Sequence, residues 1–381
     1  MKLRDNGVRR KSRIDWAGNV LFAVGLVGVL TGIIYGLNPY GGHTMGWTNP
    51  RVLGAMATGL VMLAIFVMIE LRTADAMFRL SLFRIRAFSF GNIATLLASL
   101  GRGGLMFMLI IWLQGIWLPL HGYSFSQTPL WAGIYMLPLT VGFLVAGPVS
   151  GLLSDRFGAR PFATGGMLIA ALAFFLLERL PVNFDYRQFA ALLLLVGIGM
   201  GLFASPNQAG IMNSLPPDRR GAGAGMATTF QNSAMVLSIG IFFSLMILGL
   251  ASSLPGTLDV GLRAQGVAPA DAHRISQLPP VGLLFASFLG YNPMHELLHG
   301  SLAQLGPRHA AYLTSRQYFP SLIAKPFSEG LREAFDFAIA ACLTAAGASW
   351  FRGGKYVHDA EPARPAVESA EGELVMAAEG D

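Results

Sequence analysis

Apolar runs of about 20 residues, separated by short polar, glycine-rich or basic stretches, recur along the whole chain. A run of that length crosses a hydrocarbon core of roughly 30 Å as an α-helix, whose backbone groups are all satisfied internally. Eight runs qualify: Asp15 to Leu37, Val52 to Leu71, Phe88 to Trp112, Leu130 to Leu153, Pro161 to Leu177, Phe189 to Phe203, Gly223 to Leu250 and Ala334 to Phe351. The pattern predicts an all-α, polytopic membrane protein with about eight transmembrane helices. Two stretches break it. Residues 251–329 are rich in Pro, Gly and polar residues and are expected to form a long external segment. Its apolar piece, Leu278 to Gly290, is too short to cross and suits an interfacial or re-entrant position. The tail, residues 352–381, has no periodicity and is expected to be disordered.

Composition narrows the class. The chain has 381 residues, of which 53% are hydrophobic and 13% charged, where soluble proteins carry about 25% charged residues. That excludes a soluble enzyme, a disordered protein and a secreted disulfide scaffold. Cys342 is the single cysteine, so no disulfide can form within the chain. No group of His, Cys and Asp has metal-ligand spacing and no nucleophile–base pair stands out, so neither metal, cofactor nor enzymatic chemistry is expected.

Charge sets the orientation. The net charge of +6 lies in short clusters between apolar runs, which reads as topology and not as a nucleic-acid surface. Lys2, Arg4, Arg9, Arg10, Lys11, Arg13, Arg72, Arg79, Arg84, Arg86, Arg156, Arg160, Arg219, Arg220, Arg352, Lys355 and Arg364 all fall on one side of an eight-crossing topology. The short loops opposite hold Arg51, Arg179 and Arg187. Positive charge stays in the cytoplasm, so both termini are expected there, in a multi-pass protein of the cell's inner (plasma) membrane.

The string GLLSDRFGAR, Gly151 to Arg160, carries the most information. Gly151 lets a neighbouring helix approach, and Asp155 is expected where the fifth helix begins, stabilised by exposed N–H groups. Gly158 permits the positive φ of a tight connection, while Arg156 and Arg160 can pair with carboxylates or lipid phosphates. The plainer reading is an ordinary basic turn. Flanked by two spanning helices, the string resembles the signature loop of the major facilitator superfamily, G-x-x-x-D-R-x-G-x-R. The first run, DWAGNVLFAVGLVGVLTGIIYG, is similar to the first linker helix of fourteen-helix drug:proton antiporters in that superfamily. WLQGIW, YMLPLTVGFLVAGPVSG, GIGMGLFASPNQ and GAGAGMATTFQNS are similar to their second half.

The resemblance implies a cytoplasmic basic segment (1–14), two linker helices with a connector (15–87) and a major-facilitator-like C-terminal bundle of six helices (88–351). It also implies proton-coupled efflux of small amphipathic substrates, with Gly151, Asp155, Arg156, Gly158 and Arg160 in a gate. Such transporters have a further six-helix bundle ahead of the linkers, so the chain is expected to need that missing bundle or a partner chain besides the lipid bilayer. An alternative is a half-bundle that does not transport and acts as an interaction subunit or is a remnant.

Among intramembrane residues, Arg102 is the sharpest charge, expensive in lipid and expected on a substrate pathway or snorkelling to the surface. Gln114 lies three turns further on, loosely on the same face. Asn207, Gln208, Gln231 and Asn232 are expected either to line a cavity or to bond helix to helix. Asp336 is a possible proton-coupling acid, although it is read as opening the eighth helix, where a carboxylate needs no function. Gly28/Gly32/Gly36, Gly147/Gly151, Gly197/Gly201 and Gly221/Gly225 recur every four residues and are expected to pack helices together.

Overall fold

The computed structural model describes residues 15–73, 78–289 and 292–353; the basic segment 1–14 and the tail beyond residue 353 lie outside the described residues. Among the described residues, eight helices are long and apolar enough to cross a membrane. We label them α1 (Trp16–Gly36), α2 (Pro50–Glu70), α3 (Arg86–Ile111), α4 (Leu137–Phe157), α5 (Ala159–Glu178), α6 (Tyr186–Asn213), α7 (Arg220–Ala264) and α8 (Tyr318–Phe351). A π-helical turn, Trp112–Trp117, extends α3 to Leu120, and a helix over Thr128–Tyr135 runs into α4. No strand occurs among the described residues.

Helices α3 to α8 pack around one core, with α8 set against α3, α5 and α7, and α6 set between α4 and α5. Helices α1 and α2 form a hairpin beside α7, where Ile33 meets Gly240. Its glycines pack as the sequence suggested: a Cβ at Gly28 would lie 3.0 Å from Gly59 Cα, and one at Gly25 would lie 3.1 Å from the Gly59 carbonyl. A second cluster fastens the hairpin to the bundle, with Phe66, Phe78, Leu82 and Phe88 buried against Ile211, Leu215 and Met226. Gly221 and Gly225, by contrast, face open space.

The external segment is the main departure from the sequence reading. Helix α7 does not stop at Leu250 but runs 45 residues to Ala264, and α8 begins at Tyr318, far ahead of Ala334. At 1.5 Å per residue α7 is about 68 Å long, twice the hydrocarbon thickness. Leu250, Leu254, Leu258 and Leu262 recur every four residues on α7, and Phe319, Ile323, Phe327 and Leu331 do so on α8; all eight are buried. These two stripes keep the helix pair packed through residues whose polar composition suggested a loop. Residues 265–317 close over that end as a cap. Its short helices Pro269–Ser276, Pro280–Phe288 and Pro307–Leu313 each start with proline, which lacks the N–H that a first turn leaves unpaired.

Candidate functional site

Arg102 is the seventeenth of the 35 residues from Arg86 to Leu120, the middle of that spanning rod. Next to it the α3 ladder is interrupted from outside: Ser238 on α7 accepts from Gly104 N at 2.7 Å and donates to the Leu100 carbonyl. Gly103 and Gly104 make room, since a Cβ at Gly103 would lie 3.1 Å from the Met235 carbonyl. Arg102 is half-buried and lines a cavity of about 280 Å³ with Thr95, Ser99, Asn207, Gln208 and Gln231 as its polar neighbours. Phe143, Met200 and Phe203 supply the apolar wall.

Four residues singled out from the sequence, Arg102, Asn207, Gln208 and Gln231, thus share one cavity. Asn207 is also structural: its Nδ2 donates to Thr95 Oγ1 at 2.7 Å and to the Gly91 carbonyl at 3.2 Å, tying α6 to α3. Asn232 is exposed and outside the cavity lining. Gln114 is buried in the π-helical turn and outside it too: twelve residues beyond Arg102, it lies about 18 Å along the axis and about 120° around it. The sequence reading missed Thr95 and Ser99, although spacings of seven and three to Arg102 place all three on one helical face.

The Gly151–Arg160 string forms a tight corner. Gly158 has φ +84° and ψ 159°, a region that essentially only glycine occupies. It ends α4 and starts α5 in one residue. Asp155 does not begin the fifth helix: α4 runs on to Phe157, so the carboxylate stands in the last turn of α4, at the opposite dipole end. Asp155 and Arg156 are exposed, and Gly151 sits against Ser205 of α6. Arg160 lays its guanidinium over the Trp350 ring, 3.8 Å from the centroid.

Asp336 requires a correction as well. It lies 18 residues into α8, so no helix N-terminus stabilises it. It is exposed and close enough to Glu178, at the end of α5, for their charges to interact; Glu178 Oε1 is 3.7 Å from Arg332 Nε. Among the described residues no cluster of His, Cys, Asp or Glu could hold a metal ion.

No family model matches the chain. It is similar to the uncharacterized MFS-type transporter YhcA of Bacillus subtilis (strain 168), 29% identical over 222 residues, which is 58% of this chain and 39% of that protein. It is similar to the methyl viologen resistance protein SmvA of Salmonella typhimurium, 28% identical over 265 residues, 69% of this chain and 51% of that protein. The tetracenomycin C resistance and export protein of Streptomyces glaucescens is 27% identical over 305 residues, 77% of this chain and 52% of that protein. The chain spans about half the length of these curated relatives.

Proposed function

We propose that this chain belongs to the major facilitator superfamily and forms one wall of a secondary active transporter that exports small amphipathic molecules. The observation that carries the reading is the cavity around Arg102. It places a cation and three side-chain amides beside Phe143, Met200 and Phe203 halfway along the bundle, the mix of apolar wall and few polar anchors that small-molecule sites show. In lipid such groups would be costly; facing a second bundle they line a water-filled path. The relatives named for resistance and export support the same assignment.

In this mechanism the two bundles rock about the cavity, and the corner at Gly151, Asp155, Arg156, Gly158 and Arg160 acts at the cytoplasmic gate. The basic loops support a cytoplasmic position for that corner and for both termini. Protons drive export, and Asp336, beside Glu178, is the acid we assign to carrying them. A further six-helix bundle provides the opposite wall.

Co-reconstitution tests the assignment. The chain, a first bundle and a cationic dye are placed in liposomes with an imposed pH gradient. Dye should move only when both bundles are present, and Arg102→Ala should change the substrate range or the pH dependence at equal protein content. Absence of gradient-driven movement with both bundles inserted would overturn it.

A further inference from the structure

At the end of the bundle opposite the cap, a cavity of about 380 Å³ opens between the end of α4, the first turn of α5, α6 and the end of α8. Arg352 lines it and is 4% exposed, and among the described residues none of its three guanidinium nitrogens has a hydrogen-bond partner. Burial pulls the Arg352 pKa down to about 10, so the group still carries its charge at neutral pH. The head group lies against two glycines: a Cβ at Gly91 would be 3.4 Å from Nη2, and one at Gly210 would be 2.6 Å from Nη1. A side chain at Gly210 would therefore displace this guanidinium, while Gly91 lies in ordinary contact with it.

Arg160 lines the same cavity, held over Trp350, and its buried Nε is also without a partner. Gly158 offers no side chain to the first turn of α5, so the N–H groups of that turn are left uncapped beside the cavity. A buried, unpaired arginine costs several kcal/mol. Asp155 also lines the cavity and is exposed, unlike Arg352.

We propose that this cavity binds a phosphate group, with Arg352 and Arg160 as its guanidinium anchors and the first turn of α5 as a further donor. Two forked donors and a helix N-terminus converging on one space match a tetrahedral anion with several acceptor oxygens better than a single carboxylate. The phosphate can come from a phospholipid headgroup, since the cavity sits at the end of spanning helices, or from free phosphate in the aqueous phase.

Thermal unfolding of the full chain in a maltoside detergent distinguishes the sources. One arm adds inorganic phosphate, with chloride at matched ionic strength as its control. The other adds phosphatidylglycerol, with diacylglycerol of the same chains as its control. A rise in Tm with phosphatidylglycerol alone identifies a lipid phosphate, and a rise with inorganic phosphate identifies a free one. In either case Arg352→Gln should weaken the half-saturation about tenfold or more, as expected for losing a charge-assisted bidentate pair. Should Arg352→Gln fail to fold, Arg160→Gln gives the same readout from a less buried position. No response in either arm, or variants that respond like the parent chain, would overturn the proposal.

Discussion

Where α4 meets α6 the contact is backbone on backbone, and where α8 meets α5 it is side chain into side chain. In the first seam a Cβ at Gly142 would strike the Leu194 carbonyl, one at Gly197 the Leu139 carbonyl, and one at Gly201 would lie 2.9 Å from Gly147 N. In the second, Ala334, Phe335, Ala338, Cys342 and Ala345 are fully buried or nearly so, with Phe335 facing Phe174 at 6.5 Å between centroids. Close-packed helices in lipid gain from dispersion and not from hydrophobic transfer, so both seams are stable. They differ in what locks them. Interdigitated phenylalanines resist sliding, whereas a glycine seam has no knob to hold its register. The cavity with Arg102 borders the glycine seam through Phe143 and Met200. The contrast makes the α4–α6 seam the less keyed of the two and the α8–α5 seam the more keyed.

The largest effect is expected at Gly197. Gly197→Leu drives a side chain into the α4 backbone and should abolish folding, read as loss of a monodisperse peak in fluorescence-detected size-exclusion chromatography. Gly147→Leu is the matched control on α4, since nothing lies within 4 Å of its Cβ position. If both variants elute alike, the seam is not made of glycines.

Phe335→Ala comes next and should cost about 3–5 kcal/mol, because it empties a filled site that neighbours cannot collapse into. Phe335→Leu should restore part of that Tm. A cost below about 1 kcal/mol would remove the distinction between the seams. Smaller again is Gly158→Ala, which forces a Cβ into φ +84° at about 1–3 kcal/mol. An unchanged Tm there would mean that the corner has another way to turn.

Much of this contrast could be read from the sequence, and its limits have physical causes. The every-four glycines mark the first seam and the eight apolar runs mark the rods, because length and residue size act locally. Gly158 announced a positive φ for the same reason. The position of Asp155 was misjudged by half a turn of reasoning: a glycine corner was expected, but not that α4 would hold its helix up to it. Asp336 was misplaced because the start of α8 was set by hydropathy, whereas the structure sets it by the buried stripe from Phe319 to Leu331. That stripe, and its partner on α7, have helical spacing that composition averaged away. Arg352 gives no such local signal, since its guanidinium lies against Gly91 and Gly210 from two distant helices.

The smallest expected effect concerns the cap that clamps the outer end of the α7–α8 seam. Asp271 on the helix Pro269–Ser276 accepts from the Ser301 hydroxyl and pairs with Arg274 at 3.1 Å. The Ser301 hydrogen bond first, and then Arg274, hold its carboxyl below the usual carboxylate range. A depressed carboxylate lends stability that is present above its ordinary value of about 4 and is lost as the pH falls through the folded value. The group is exposed, so the effect on the whole chain is slight. It should still appear locally: cleavage of residues 265–317 by an acid-tolerant protease should speed up below about pH 4, with the α3–α6 fragments unaffected. Asp271→Asn should cleave at the fast rate at every pH and lose the acid-dependent rise. If parent and variant share one pH profile, this bond does not fasten the cap, and the interlocking of α7 and α8 must hold without it.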